Sequence, residues 1–471
     1  MRHFPDPRQQ EQARLSPRDI VRANLCIGCG CCAAGSADAS MRWDRHGQLK
    51  PHGPRQWLHG RTQEFAKQCP FSPTAIDEDR IAAQRFAAAA HRDPRLGSFI
   101  AAYVGHVAEA GFRDNGSSGG LTSWVGAELL RTGQVDAVAH VAPVEEPQLE
   151  GRHFAYRLSR SLDELCRGAK SRYYPVELSG ILRQIRTEPG RYAVVGIPCF
   201  IKAIHLLRRC DPLIAERVTH TLGLFCGHMK SARLAESFAW QLGAEIAQVK
   251  ALDYRLKDAS RPANWYRAQL QLADGRAVAQ DWWHLADGDW GAGFFQNAAC
   301  NACDDVVAET ADISFGDAWV EPFASDGRGT NVVIVRTPEL HLMIETAIAD
   351  SRLELSPVNA DFVAETQAAG LRHRREGLAY RLSWARSGMR PRKRVAASRT
   401  RLNLRRKLVY RARAAISAWS HRIFALARLL HAPRLYVIWA RIALAAYQGL
   451  TYSRGRFGRF CDFLLGPQAR S

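Results

Sequence analysis

Three cysteines near the start of the chain have the spacing of metal ligands. Cys26, Cys29 and Cys32 follow a C-x-x-C-x-x-C pattern. Spacers this short let one tight turn direct three thiolates at a common centre, as ferredoxin-type 4Fe–4S sites do. Gly28 and Gly30 allow the backbone angles that such a turn requires. The pattern indicates an iron–sulfur site.

The fourth ligand of this site must come from elsewhere in the chain. A bacterial ferredoxin run would place a cysteine where this chain has Ser36, and the next candidate is Cys69, which is followed by proline as in that run. We therefore predict one 4Fe–4S site formed by Cys26, Cys29, Cys32 and Cys69. Structural zinc also accepts four thiolates, and disulfides would require an exported chain.

A second cysteine set lies in the middle of the chain. Cys300 and Cys303 form a C-x-x-C pair, and Cys199 and Cys226 each follow a predicted strand. The carboxyl ends of parallel strands are where α/β proteins build sites, so we predict a second 4Fe–4S site from these four cysteines. Two alternatives stay open: Cys199 and Cys226 as buried structural residues, or the C-x-x-C pair as a redox dithiol.

A glycine-rich loop at 111–120 lies between a predicted strand (99–107) and a predicted helix that ends near residue 130. Backbone N–H groups at such a helix start, with the hydroxyls of Ser117 and Ser118 beside them, favour a phosphate or pyrophosphate. A plain Gly-Ser turn is the alternative.

The alternation of strands and helices divides the chain into four parts. We predict a polar lead-in (1–24), a small ferredoxin-like iron–sulfur module (25–92), an α/β (α+β) core domain (93–385) with a β-rich insertion at 250–290, and a basic helical C-terminal extension (386–471). A further helix is predicted at 81–92 from its alanine content.

The charge and the cysteine content of the chain limit the classes of function that it can have. Of 471 residues, 65 are Lys or Arg and 46 are acidic, which gives a net charge of +19. This charge belongs to the extension, whose one acidic residue is Asp462, because residues 1–385 are neutral overall. The chain has twelve cysteines, and its polar start contains no signal-like apolar segment. It also has no uninterrupted apolar run of membrane-spanning length. These features predict a cytoplasmic metal or redox protein.

The basic extension contains a predicted helix at 405–430. Its apolar side is formed by Leu408, Ala412, Ile416, Trp419, Ile423, Ala427 and Leu430, and its other side by Arg406, Arg411, Arg413, Arg422 and Arg428. This pattern suits a helix on an anionic membrane surface, at the inner face of the membrane. It also suits packing on the body or docking of an acidic electron donor such as ferredoxin. Nucleic acid is the weakest candidate partner, because no recognition fold accompanies the charge.

Eight short motifs in a fixed order, over about residues 20–345, resemble the family formed by the beta subunits of coenzyme F420 (deazaflavin) hydrogenases and dehydrogenases. This family includes ferredoxin-dependent reductases similar to 7-hydroxymethyl chlorophyll a reductase. The motifs are Cys-Ile-Gly-Cys-Gly (26–30), Asn-Gly-Ser-Ser-Gly-Gly-Leu-Thr (115–122), Gly-Ala-Lys-Ser-Arg-Tyr-Tyr-Pro (168–175), Val-Gly-Ile-Pro-Cys-Phe (195–200), Phe-Cys-Gly-His (225–228), Cys-Asn-Ala-Cys (300–303), Asp-Ile-Ser-Phe-Gly-Asp (312–317) and Asn-Val-Val-Ile-Val-Arg-Thr (331–337).

The resemblance implies a flavin-binding core and an iron–sulfur flavoprotein oxidoreductase that holds FAD. Electrons would pass from a ferredoxin-type donor through one or two 4Fe–4S clusters to FAD and on to a small organic substrate. A non-enzymatic electron-transfer subunit that feeds a catalytic partner is the alternative function, and a scaffold that uses zinc only for structure is a third. The glycine-rich loop becomes the FAD phosphate site, with candidate residues Asn115, Gly116, Ser117, Ser118, Gly119, Gly120 and Thr122.

Three further residues receive roles from the same resemblance. Lys170 is expected near the flavin, where a cation stabilises the reduced, anionic form; the alternative is a surface lysine. His228 follows Cys226 closely and is expected to donate a proton to substrate, or simply to be hydrogen-bonded within the fold. Asp317 is expected to bind flavin or to cap the turn after Gly316. Deazaflavin itself is not predicted as the substrate.

Overall fold

An eight-stranded mixed sheet lies at the centre of the molecule. The computed structural model describes residues 13–384, 388–400 and 402–466. Residues 1–12 of the predicted lead-in, and 386–387, 401 and 467–471 of the predicted extension, lie outside the described residues. The strands are β1 (Ser40–Trp43), β2 (Leu49–His52), β3 (His91–Asp93), β4 (Gly97–Phe99), β5 (Ala101–Val107), β6 (Ala137–Pro143), β7 (Phe154–Ser159), β8 (Tyr192–Gly196), β9 (Val218–Leu224), β10 (Val249–Leu256), β11 (Arg267–Leu272), β12 (Ala277–Asp281), β13 (Ile313–Asp317), β14 (Asn331–Val335) and β15 (Leu353–Pro357).

The central sheet has the order β15-β5-β14-β13-β9-β8-β6-β7. The four strands β13, β9, β8 and β6 are mutually parallel. Strands β14 and β7 pair antiparallel with the two ends of this group, and β5 and β15 continue the antiparallel pairing beyond β14. Strand β8 pairs with β9 in register from Ala193 opposite His220 to Gly196 opposite Gly223. The carboxyl ends of these neighbouring strands therefore meet at one edge of the sheet, as the sequence predicted for the segments before Cys199 and Cys226.

The central strands are apolar on both faces because helices cover both sides. Every residue of β8 and of β14 is buried. Trp124 and Leu129 of one helix pack on one face with Ile344 of another, and Leu182 and Ile204 pack on the opposite face. The helices described are Pro17–Arg22, Cys31–Ala34, Arg55–His59, Gln63–Gln68, Glu78–Arg85, Phe112–Asn115, Leu121–Arg131, Pro147–Glu150, Leu162–Arg167, Ser179–Thr187, Pro198–Arg208, Pro212–Arg217, Arg233–Gln241, Pro338–Ala349, Ala360–Thr366, Ala368–Arg374, Glu376–Leu382, Leu404–Leu429, Pro433–Tyr452 and Gly455–Leu465.

The predicted β-rich insertion is a separate three-stranded antiparallel sheet, β10-β11-β12. Its buried residues, including Leu252 and Leu270, share one apolar cluster with Phe424, Tyr436 and Tyr447 of the C-terminal helices. The C-terminal helices therefore complete the core beneath this sheet.

The predicted helix at 81–92 is wrong in its second half. The helix ends at Arg85, and Phe86 turns into the protein interior. Strand β3 then pairs with β4 in a hairpin from His91 to Phe99. Burial of Phe86 and strand pairing override the helical preference of the alanines here.

The long helix of the extension forms, but the face that it buries overlaps only in part with the predicted one. Ile416 and Ala427 are buried as predicted. Trp419 and Leu430 are 48% and 57% exposed, whereas Arg413 points inward and donates to the Gly291 carbonyl at 2.6 Å. No helix among the described residues is long and apolar enough to cross a membrane.

Candidate redox site

The first cysteine set forms a tight turn of the predicted kind. Gly28 and Gly30 have φ angles of 87° and 82°, in the left-handed region that favours glycine. A Cβ on Gly30 would lie 3.0 and 3.1 Å from the backbone nitrogens of Ser179 and Leu178, so a side chain at this position would be crowded by backbone atoms. The turn is fixed to the body by Leu178, whose backbone N–H donates to the Cys29 carbonyl at 2.8 Å.

The thiols of this set lie close enough to affect one another. Burial, and then the charges of Cys29, Cys26 and Cys69, raise the pKa of Cys32 well above its ordinary value. The pKa of Cys69 is also raised, by burial and by the charges of Cys29 and Cys26. The pKa of Cys29 is lowered because the Cys31 thiol donates a hydrogen bond to it. The structure thus brings Cys26, Cys29, Cys32 and Cys69 together and gives Cys31 a hydrogen-bonding role.

The second cysteine set also converges. Cys199 lies on the first turn of the helix after β8, and Cys226 lies two residues beyond β9. The pKa of Cys199 is raised, mainly by burial and then by the charges of Cys303, Cys226 and Cys300. The Met229 N–H donates to Sγ of Cys300 at 3.3 Å, an N–H···S contact of the kind that tunes metal thiolates.

A buried arginine accompanies the second set. Arg374 is 2% exposed and donates from Nη2 to the carbonyls of Cys226 and Gly227 at 3.1 and 2.7 Å. Its Nε and Nη1 atoms have no partner among the described residues. The charges of all four cysteines of the set raise the pKa of Arg374 against the opposing effect of burial.

This arginine is evidence that the set fits an anionic group. A buried guanidinium with unpaired nitrogens is costly unless negative charge lies beside it. Four thiolates around an iron–sulfur core would supply that charge. Sequence inspection missed Arg374 because it lies about 70 residues after Cys303, with no motif to mark it.

The two cysteine sets share one apolar cluster. Cys29, Cys300 and Cys303 are buried in it, and Cys26, Cys69 and Cys199 pack against it. The Cys29 charge contributes to the raised pKa of Cys199. Among the described residues, no group of three or more His, Cys, Asp or Glu is arranged to hold a single metal ion.

The glycine-rich loop packs against the segment that carries Lys170. The Ser171 N–H donates to the Ser117 hydroxyl at 2.9 Å, and Lys170, at a φ of 103°, forms an ion pair with Asp253 at 3.2 Å. Two segments that carry separate sequence motifs are therefore in contact.

Protein packing alone accounts for part of the glycine pattern. A Cβ on Gly119 would lie 2.8 Å from the Gly105 carbonyl, and Gly120, at a φ of 89°, approaches the Phe112 carbonyl. The first helical amide, Leu121, donates to Oδ1 of Asn331 at 3.1 Å. Of the other predicted phosphate ligands, Asn115 ends a short helix, Gly116 and Ser118 are buried in the loop, and Thr122 lies in the first helical turn.

Several cationic side chains lie near this loop. Lys257 donates to the carbonyls of Arg113 and, at 2.9 Å, of Ser118. The pKa of Lys257 is lowered to about 8, mainly by burial and then by the charges of Lys170, Arg113 and Arg255. Lys170, Arg113 and Arg255 each pair with a carboxylate, those of Asp253, Asp326 and Asp317. Lys257 is therefore the cation of this group that an anion at the loop would stabilise most directly.

Asp317 lies at the end of β13, and its carboxylate is held by Arg255. The two guanidinium nitrogens donate to it at 3.1 and 3.2 Å. Arg255 also lies over the rings of Tyr266 and Trp319, at 4.4 and 5.5 Å from their centroids. Asp317 thus has a strong protein partner, and two aromatic rings contact that partner.

An aromatic group links this region to the second cysteine set. The Tyr173 and Trp290 ring centroids are 4.7 Å apart, and His228 stacks on Trp290 at 4.4 Å. The Cys226 charge reaches Tyr173 and contributes to its raised pKa, which burial mainly causes. Lys230 lies on the same indole at 4.8 Å.

His228 is a buried, neutral imidazole. Burial first, then the charges of Lys230 and Arg413, hold its pKa well below the ordinary value. Nη2 of Arg413 donates to Nδ1 at 3.3 Å, so the proton belongs on Nε2, which has no partner among the described residues. Sequence analysis missed Arg413 because it was assigned to the outer side of the C-terminal helix.

Comparisons with known proteins point to one family, "Coenzyme F420 hydrogenase/dehydrogenase, beta subunit". The model of the N-terminal part of that family matches residues 102–183. The model of its C-terminal part matches residues 190–361. Together the two matches cover more than half of the chain.

Two individual proteins are also similar. The F subunit of the F(420)H(2) dehydrogenase of Methanosarcina mazei is 22% identical over 329 residues, which are 68% of this chain and 81% of that protein. A chain of the F420-reducing NiFe hydrogenase complex from Methanosarcina barkeri is 16% identical, with a TM-score of 0.49, over 64% of this chain and 99% of that one.

Proposed function

Because the chain belongs to the family of coenzyme F420 hydrogenase/dehydrogenase beta subunits, we propose that it is an iron–sulfur flavoprotein oxidoreductase. In this proposal the two cysteine sets hold 4Fe–4S clusters, and the cationic loop at Ser117 holds the phosphates of FAD. Clusters would supply one-electron transfer and FAD two-electron storage. Electrons would come from a ferredoxin-type donor and leave to a small organic substrate.

The observation that carries the proposal is the spatial order of the sites. The loop at Ser117 contacts the segment of Lys170, and Tyr173 of that segment packs on Trp290. Trp290 stacks with His228, two residues after Cys226, and Cys199 of the same set lies near Cys29. The Ser117 loop, a group of aromatic side chains and two thiol sets thus follow one another in space, an order that supports the proposal.

The chain's own residues have defined tasks in this arrangement. Lys257 and Lys170 would neutralise phosphate charge at the loop. Arg374 would compensate the charge of the second thiolate set. His228 presents an N–H at Nε2, held in that tautomer by Arg413, and as a neutral imidazole can donate a hydrogen bond at that atom.

A reduction experiment tests the proposal. Anaerobic protein is mixed with reduced ferredoxin, and the bleaching of bound flavin is followed. We expect rapid reduction in the parent and in Cys210→Ser, which changes an exposed cysteine, and at least about 100-fold slower reduction in Cys199→Ser, because the electron path is interrupted. Equal rates in all three proteins would refute the proposed path.

A non-catalytic electron-transfer subunit is the second candidate. The family description and the Methanosarcina mazei relative both name a subunit, which favours it. On this reading the purified chain would accept electrons from ferredoxin but reduce no organic acceptor until a catalytic partner is added.

A further inference from the structure

The three C-terminal helices, Leu404–Leu429, Pro433–Tyr452 and Gly455–Leu465, bury one side and expose apolar residues on the other. In the second helix Tyr436, Ala440 and Tyr447 are buried in the core, while Ile438 and Ile442 on the opposite side are 59% and 66% exposed. Residues four apart share a helix face, so the outward face of this helix is itself apolar.

The third helix continues this exposed surface. Phe460 and Phe463 are 56% and 85% exposed. A cavity of 520 Å³ between the first and third helices is lined almost entirely by apolar atoms, among them those of Leu408, Phe457 and Leu464. We call the exposed residues of the second and third helices, together with this cavity, the tail surface. Apolar patches of this extent mark interaction sites.

The charge on the tail surface is of one sign. Arg434, Arg441, Arg456 and Arg459 are exposed, and no carboxylate within the described residues pairs with any of them. The one acid of the extension, Asp462, is occupied by Arg405 and Ser453. The occupant of this surface must therefore be apolar and negatively charged.

We infer that the tail surface docks on an anionic lipid bilayer. Exposed phenylalanines and isoleucines would enter the boundary between headgroups and acyl chains, and the arginines would contact lipid phosphates. Because the opposite side of the second helix is held in the protein core, the helices lie on the bilayer surface. A second copy of this chain fits poorly, since two tail surfaces would oppose arginine to arginine.

Vesicle sedimentation tests this inference on the full chain. We expect binding to vesicles of phosphatidylcholine with phosphatidylglycerol, and weak binding to phosphatidylcholine alone. Ile442→Gln combined with Phe463→Gln removes apolar contact, and Arg456→Glu combined with Arg459→Glu reverses charge. Each pair should weaken binding at least about tenfold. All four residues are exposed, and unchanged circular dichroism and iron content would verify folding.

Matched controls lie on the body of the protein. Leu149→Gln combined with Leu342→Gln changes two exposed apolar residues elsewhere, and Lys250→Glu reverses an exposed charge on β10; neither should alter vesicle binding. The inference fails if the parent does not bind anionic vesicles, or if the controls lose binding as much as the tail variants do. It also fails if the parent is a dimer that the tail variants dissociate, because the surface then joins two copies.

Discussion

At the scale of single residues, the cysteines were predictable and the charges beside them were not. Cys26, Cys29 and Cys32 lie within seven residues, and a turn with left-handed glycines follows from that spacing. Arg374 and Arg413 come from segments remote in sequence, and only tertiary packing brings them to the thiols and to His228. Such contacts leave no local pattern in a sequence.

The fourth ligand of the first set gives a residue-scale prediction. Cys69→Ser should remove about four irons per chain, because one thiolate of a four-cysteine site is lost. Cys31→Ser should retain them, because the Cys31 thiol is a hydrogen-bond donor to Cys29. Iron and acid-labile sulfide assays distinguish the variants; equal iron loss from both would assign Cys31 as a ligand.

Arg374 gives a second prediction. Arg374→Met removes a buried cation beside four cysteines, so the reduced, more negative state of a bound cluster is stabilised less. We expect the reduction potential to fall by about 60 mV or more, which for one electron is about 1.4 kcal/mol. Redox titration followed by electron paramagnetic resonance measures it. Arg276→Met, at an exposed ion pair with Asp274, is the control; an equal shift there would exclude a local effect.

Lys257 gives a prediction of pH dependence. Its pKa is lowered to about 8, so in the free protein the ammonium loses its proton as the pH rises through that value. Affinity for FAD should therefore fall between about pH 7 and pH 9, by up to about tenfold if one charge-assisted contact is lost. Fluorescence titration of the flavin at several pH values measures this dependence.

The same lysine has a matched control on the preceding strand. Lys257→Met should have weaker, pH-independent affinity over this range, whereas Lys250→Met should behave as the parent. A pH dependence that survives in Lys257→Met would assign the titration to another group.

At the scale of elements, buried strands were easier to predict than helix faces. The apolar run of β8 and the strand before Cys226 form as expected, because a buried parallel strand has an unmistakable composition. The predicted face of the helix Leu404–Leu429 was right for Ile416 and Ala427, which are buried, and wrong for Trp419, because both sides of the helix carry apolar residues. Ser417 and Ser420, rather than Trp419, point into the body.

The helix Leu404–Leu429 is held by polar contacts that can be measured. The Ser420 hydroxyl accepts from the Phe295 N–H at 2.9 Å, so Ser420→Ala leaves a buried N–H unpaired. We expect a loss of about 1–3 kcal/mol in the free energy of unfolding. Arg422→Ala, on the exposed side of the same helix, should cost about 0.5 kcal/mol or less. Anaerobic urea unfolding compares them, and equal costs would contradict this assignment of the buried face.

At the scale of the whole molecule, the basic extension neutralises acids of the body as well as presenting charge outward. Lys393 pairs with the fully buried Asp304 at 3.0 Å, and Arg394 pairs with Glu309. Asp304 and Glu309 lie just after the second cysteine set, so the segment at 393–394 closes the protein over that region. Counting the net charge of each part of the sequence separately could not reveal this pairing.

The central claim is that one chain combines two iron–sulfur sites with a flavin site. The most direct measurement is the iron, acid-labile sulfide and flavin content of the full chain purified without oxygen. The account predicts about eight irons, about eight sulfides and one FAD per chain. Zinc in place of iron, with no flavin, would contradict it.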